Sequence, residues 1–265
     1  MTAMPTLMPT TYISHGGGPC FFMDWDPPHE WDGLRAALEG IGPSLPSVPR
    51  AIVVVTAHWE SREVAVGSGA TPGLIYDYGG FPPHTYQLTY PAPGAPDVAA
   101  EIDGLLSTAG IPHRLDATHG WDHGVFIPLK VMYPEAQIPI VAVSVLADFD
   151  PLQHLQLGRA LAPLREQGVL IVGSGSSFHH FGNFGREEFA VPFDQWLHGT
   201  LALPQQERWD ALVDWTEAPY ARQAHAREEH LLPLMVAVGA AGEGAAHTIF
   251  ADRVMGTTMS CWTFA

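Results

Sequence analysis

Arg50-Ala-Ile-Val-Val-Val-Thr-Ala-His58-Trp59 is the stretch whose reading decides the fold. Ala51 to Val55 are apolar or small without alternation, so they predict a strand buried on both faces, as the central strand of a parallel sheet is. His58 then stands at the carboxyl end of that strand. In open α/β sheets this edge borders the crevice where ligands bind. His58 is therefore a candidate site residue.

Working outward, Thr11-Tyr-Ile-Ser14 predicts a short strand running into His15-Gly-Gly-Gly-Pro19, where glycines permit a tight turn and close approach of the backbone. An aromatic loop over Phe21–Trp25 leads to Asp26-Pro-Pro, which predicts a helix from Asp26 as N-cap to about Gly40. Glu63–Val66 reads as a strand beside the opening one. Residues 71–96 are rich in Gly, Pro and Tyr and too long for a simple connection, which is the character of a binding loop. Asp97–Thr108 predicts a helix stopped by Gly110, and Pro112–Asp116 a strand entering Thr118-His119-Gly-Trp-Asp-His123-Gly124. Gln137–Leu146 is a further buried strand, and Pro151–Gln167 a helix between Asp150 and Gly168. Val169–Val172 ends in Gly173-Ser-Gly-Ser-Ser-Phe-His179-His180.

The region from Phe189 to Glu217 is helical with breaks at Pro192 and Pro204. Pro233 puts His230 at the start of a helix or at a kink, and the tail from Thr248 to Phe264 supplies one or two closing strands. Alternating strands and helices give an α/β fold. The expectation is a single domain over residues 1–265, a mostly parallel central sheet flanked by helices, with the site at the carboxyl ends of its strands.

Composition narrows the chemistry. A net charge of −16 with only 12 Lys plus Arg argues against a nucleic-acid footprint or an anionic membrane surface, and leaves small molecules as partners. Two cysteines without CxxC spacing exclude a disulfide framework and a cysteine-rich zinc site. With no charged leader and no apolar run of about eighteen residues, a cytoplasmic protein is expected. Lys130, the only lysine, lies in a packed-looking run, which sets Schiff-base chemistry aside. Histidines number 14, and imidazole serves both proton transfer and transition-metal binding. His15, His58 and His179 each follow a strand, and His119 and His123 share a fourth strand-end loop. One such residue reads as a hydrogen-bonded structural histidine; four arrivals at one sheet edge read as a pocket for Zn(II), Fe(II), Cu or Ni. His179 and His180 point apart on an extended chain, so at most one faces it. Gly173-Ser-Gly-Ser-Ser177 is neither a Gly-x-Ser-x-Gly elbow nor a P-loop, and Cys20 reads as packing.

Five ordered motifs together carry a resemblance: Ser14-His15-Gly, Thr56-Ala-His58-Trp59, Trp121-Asp-His123-Gly124, Gly173-Ser-Gly before His179, and Glu229-His230-Leu-Leu-Pro-Leu. With Tyr78-Gly-Gly-Phe-Pro and Tyr90-Pro-Ala-Pro-Gly in the long loop, they resemble class III extradiol ring-cleaving dioxygenases, in the branch similar to DOPA 4,5-dioxygenase. The resemblance implies one divalent metal per chain, Fe(II) for activity with Zn(II) as the alternative, and cleavage of DOPA or a related catechol with both atoms of O₂ incorporated. By position it implies His15, His58 and His230 as metal ligands, with Glu229 as a neighbour able to substitute. His179 matches the acid/base residue, or a fourth ligand if the metal is zinc, and His123 the residue that hydrogen-bonds substrate. His119 and His84 are candidate substrate contacts. A zinc-dependent hydrolase and a catalytically silent metal-binding relative are the competing functions.

Overall fold

The computed structural model describes residues 7–265. Among the described residues, the chain runs through β1 (Thr10–Ser14), α1 (Asp32–Ser44), β2 (Ala51–Ser61), β3 (Val64–Gly67), α2 (Pro96–Ala109), β4 (His113–Asp116), α3 (His123–Met132), β5 (Ile140–Leu146), α4 (Pro151–Leu161), β6 (Val169–Gly175), α5 (Glu187–Leu201), α6 (Gln205–Val213), α7 (Ala221–Ala224), α8 (Leu232–Ala241), β7 (Ala246–Val254) and β8 (Thr257–Phe264). The strands form one sheet in the order β4-β3-β5-β2-β6-β1-β8-β7. The central β5-β2-β6-β1 pairings are parallel, as is β3-β4; β3-β5, β1-β8 and β8-β7 are antiparallel, so the sheet is mixed around a parallel centre. No helix among the described residues is long and apolar enough to cross a membrane.

β2 lies at the middle of that centre with Ile52–Val55 fully buried, which is why its apolar run is unbroken rather than alternating. On β6, side chains alternate between faces. Ser174 reaches the Gly124 carbonyl of α3, whereas an added Cβ at Gly173 or Gly175 would meet the backbone oxygens of Pro233 at 2.1 Å and His230 at 2.0 Å. The segment before and into α8 therefore lies directly on one face of β6 while α3 covers the other, and glycine is required at both positions for the chains to approach so closely.

Several elements differ from their sequence reading. α1 begins at Asp32, not Asp26, because residues before it are held by aromatic packing: Trp25 Nε1 donates to the Cys20 carbonyl at 2.7 Å and Trp25 packs on Trp31 at 5.4 Å. It also runs past Gly40, since Ile41 continues the buried stripe of Leu34 and Leu38. Pro192 lies inside α5 and does not break it; the buried stripe of Ala190, Phe193, Leu197 and Leu201 outweighs one lost backbone bond, while Pro204 does separate α5 from α6. β3 is not beside β2, because β5 inserts between them. Asp150 caps α4 by accepting from the Leu152 and Gln153 amides, and the tail forms the β7-β8 hairpin.

His154 on α4 is fully buried, donates from Nδ1 to the Asp150 carbonyl at 2.7 Å and accepts the Leu146 amide at Nε2, 3.0 Å away. It must be neutral to do both, and burial holds its pKa below the ordinary 6.5. As pH falls through about 6.5 the unfolded chain takes up this proton and the folded chain does not, so stability present above that pH is lost below it. Urea unfolding at a series of pH values reads the effect: His154→Gln should make the slope below pH ~6.5 shallower by up to about 1.4 kcal/mol per pH unit. An unchanged slope would refute the assignment.

Candidate active site

Five imidazoles converge above the carboxyl ends of β1, β2 and β6. His15 directly follows β1. His58 is not at the end of β2 but at an irregularity within it: β5 pairing passes from Thr56 to Glu60 against adjacent partners Ser144 and Val145, so residues 57–59 bulge out of the ladder. A bulge re-aims a side chain that a regular strand would leave in the sheet. His123 opens α3; the preceding Asp122 is buried and accepts from Thr56 Oγ1 at 2.8 Å, tying that helix to β2. Burial raises the Asp122 pKa to about 6. His179 follows β6 and is held by its amide on the Ala224 carbonyl at 2.9 Å. His230 sits in the turn before α8, its carbonyl accepting from Tyr12 Oη at 2.8 Å and the Ser176 amide at 3.1 Å.

The ring contacts define the cluster. His58 lies 3.9 Å from His123 and 4.9 Å from His230, centroid to centroid, while His15 is 5.2 Å from each of those two. His179 stacks on His230 at 3.4 Å and 16°. Each ring has its Nδ1 beside an oxygen. Ser174 Oγ, already donating to Gly124, must accept from His15 Nδ1 at 3.0 Å. Asp77 takes His123 Nδ1 at 2.9 Å on Oδ1 and faces His58 Nδ1 at 3.4 Å with Oδ2. Glu229 Oε1 takes His230 Nδ1 at 3.0 Å and lies 3.4 Å from His179 Nδ1. With every Nδ1–H directed outward, the Nε2 lone pairs point inward.

Burial, then the proximity of the other imidazoles, pushes His15 and His58 well below the ordinary histidine range, and burial lowers His230 to about 4 against the pull of Glu229. These three rings are therefore neutral. Burial works to raise the Asp77 and Glu229 carboxyls, but hydrogen bonds from His123 in one case, and from His179 and His230 in the other, bring both below the usual range.

The consequence is sharpest between His15 and His58, whose Nε2 atoms are 3.1 Å apart. Two unprotonated nitrogens at that distance repel unless a cation lies between them. Metal–imidazole bonds of about 2.0–2.1 Å with near-tetrahedral or octahedral angles separate adjacent donors by roughly 2.8–3.4 Å, so the pair fits a divalent metal. Ligand atoms of His15, His58 and His123 all fall within 4.8 Å of one another, as do those of His179, Glu229 and His230. The group that contains the His15–His58 pair thus includes His123, His230 falls in the other, and Glu229 supports two rings from behind.

The cluster floors a cavity of about 510 Å³ lined also by Gly16–Gly18, Trp31, Tyr78, Phe81, Phe184 and the buried Met259, with the exposed Phe181 and Met255 toward the mouth. A volume of this order suits a small aromatic ligand. His119 and His84 are not brought to it: His119 stacks on Trp59 at 3.7 Å, and His84 Nε2 donates to the Phe22 carbonyl at 3.1 Å. His179 lines the cavity and His180 does not. Cys20 and Cys261 are buried free thiols. Sequence reasoning missed Asp77, Ser174 and the apolar rim. The one signal for Asp77 was its place between Tyr76 and Tyr78 in the long loop; Ser174 lay in a glycine-serine motif read only for what it was not.

Known proteins supply the context for this geometry. Residues 9–261 match the family model described as the catalytic LigB subunit of aromatic ring-opening dioxygenase. The chain is 36% identical to the dioxygenase tasH of Hapsidospora irregularis, over 94% of this chain and 83% of that protein. It is 38% identical to the 4,5-DOPA dioxygenase extradiol of Beta vulgaris, over 95% of this chain and 93% of that protein. A crystal structure of an uncharacterized protein from Escherichia coli K12 superposes with a TM-score of 0.80 at 29% identity, covering 97% of this chain and all of that one. The cluster of histidines on an α/β sheet and these likenesses agree, and the chain belongs to the family of the catalytic LigB subunit of aromatic ring-opening dioxygenases.

Proposed function

We propose that residues 1–265 act as one catalytic domain, an extradiol dioxygenase that opens the ring of a catechol with O₂ at a site holding one Fe(II) ion. The facing Nε2 atoms of His15 and His58 carry this reading. When bound, the metal supplies the Lewis acidity that lowers a catechol hydroxyl's pKa and the redox chemistry that O₂ requires. Three neutral imidazoles would leave the charge of a divalent ion uncompensated, which suits an anionic catecholate. Two buried free thiols fit a reducing, cytoplasmic setting.

His15 and His58 are ligands in this reading and His230 is the third. Support for His230 comes from its carboxylate-backed Nδ1, its 5.2 Å and 4.9 Å approaches to His15 and His58, and its motif. His123, held by Asp77 through both its amide and Nδ1, then presents Nε2 to accept a hydrogen bond from a substrate hydroxyl. His179 takes the second catechol proton at Nε2 and returns it to the opening ring; Glu229 behind it balances the imidazolium that forms. Tyr78 and Phe81 wall the ring's face, and Tyr78 is fixed by donating to the Thr85 carbonyl at 2.7 Å.

Protein reconstituted anaerobically with Fe(II) should consume O₂ with at least one of a panel of catechols that includes DOPA, the substrate in several relatives' names. No uptake with any of them sinks the reading, and turnover that persists without O₂ would indicate a hydrolase. Metal analysis of two variants checks the ligand set: His230→Ala should lose bound metal, whereas His123→Ala should keep it and turn over slowly. The reverse result would make His123 the third ligand.

A further inference from the structure

The lining of the cavity is segregated. Imidazoles and the Asp77 carboxylate line one part of it, and the rest is largely apolar: Trp31 and Met259 are buried there, while Phe81, Phe181, Phe184 and Met255 are more exposed. None of the 12 Lys and Arg side chains of the chain reaches it. Arg227 is taken by Glu60 at 2.9 Å and Arg186 by Glu188, while Arg253 lies 3.6 Å from Glu187. Polar side chains that do reach the cavity have their donors engaged: Ser176 donates to the Phe178 carbonyl, Tyr78 to Thr85, and Ser14 Oγ faces Met259 sulfur. Phe181 is 81% exposed and Met255 43% exposed, yet both line the mouth. Two large apolar side chains stand in water there and would be covered by a ligand's substituent. Phe181 also packs edge-on against His179 at 5.0 Å, so whatever rests on it lies beside the histidine assigned to proton transfer.

We infer that the substrate is a catechol whose ring substituent is uncharged and apolar, and that Phe181 and Met255 recognise that substituent. This rests on the ring-opening reading above and specifies its substrate. The catechol hydroxyls point to the histidine floor, and the substituent para to one of them extends along Phe184 to the mouth. A carboxylate in the same place would shed water without meeting a cation or a free side-chain donor, in a protein of net charge −16. The amino-acid side chain of DOPA is therefore disfavoured relative to a neutral alkyl chain of the same length.

The test compares propylcatechol, dihydrocaffeate and DOPA, which share a three-carbon side chain and differ in its charge. With iron-loaded enzyme, kcat/KM for propylcatechol should exceed that for dihydrocaffeate and for DOPA by roughly tenfold or more. With zinc-loaded protein, quenching of the fluorescence of Trp31 and its neighbours should give the same order of Kd without turnover. Phe181→Ala should raise KM for propylcatechol severalfold more than it raises KM for unsubstituted catechol, and Met255→Arg should narrow or invert the preference for the neutral chain. Equal or tighter binding of either carboxylate overturns the inference and would point to the Gly16–Gly18 amides as the anion cradle. Absence of turnover with all three would count against the ring-opening reading, and the binding order would still decide the substituent.

Discussion

Replacing His179 with alanine should lower catechol turnover by the iron-loaded enzyme by about 10²- to 10⁴-fold, the range lost with a general acid–base group, while metal content stays near that of the parent. The expectation follows from where the ring sits. It stacks face to face on His230 at 3.4 Å and shares Glu229 with it, but of the two it is His230 whose ring packs against His15 and His58, at 5.2 Å and 4.9 Å. A parallel stack presents Nε2 beside a ligand ring rather than in front of it, which suits transfer of a proton to and from a bound substrate. Steady-state kinetics alongside metal analysis reads both halves. If the metal is lost with the activity, His179 is a fourth ligand and the proton must be carried elsewhere.

The second large effect is expected at Asp77. Its two oxygens serve two imidazoles at once, His123 at 2.9 Å and His58 at 3.4 Å, and Oδ1 also accepts the His123 amide at 2.9 Å. Asp77→Ala removes the group that fixes the tautomer and aim of both rings, and such partners are typically worth 10–100-fold in metal affinity. Competition with a chromogenic chelator measures the loss, and near-UV circular dichroism confirms that the fold persists. Affinity equal to the parent's would mean that His58 is held by its backbone bulge alone.

The difference between these two residues explains what could be read from the chain. β2 is legible because double-sided burial writes an unbroken apolar run, and His15, His58 and His179 are legible because each stands just beyond such a run. Asp77 has no such mark. Its partners are 46 and 19 positions away, with neither helical nor strand spacing, and only the folding of the long loop over the sheet joins them. His119 and His123 stood together in one loop, and sequence could not divide them; the Thr56–Asp122 bond draws the second into the cluster and the Trp59 ring captures the first. The bulge at residues 57–59 was equally hidden, since a run of β-favouring residues continues through Trp59 and nothing local announces the skipped pairing. The start of α1 was misplaced for a related reason: Asp26-Pro-Pro has the local chemistry of a helix entry, and the tryptophans that override it act through tertiary contact.

The near-touching backbones at Gly175 and His230 have a consequence for altering this metal centre. With no side chain between them, and with the His230 carbonyl also gripped by Tyr12 and Ser176, the main chain at position 230 cannot slide toward or away from the cavity. Any replacement donor must span the gap by the length of its own side chain. A designer seeking a two-histidine, one-carboxylate set at this point would need the longer arm of glutamate, because aspartate would stop short of where the imidazole Nε2 now reaches.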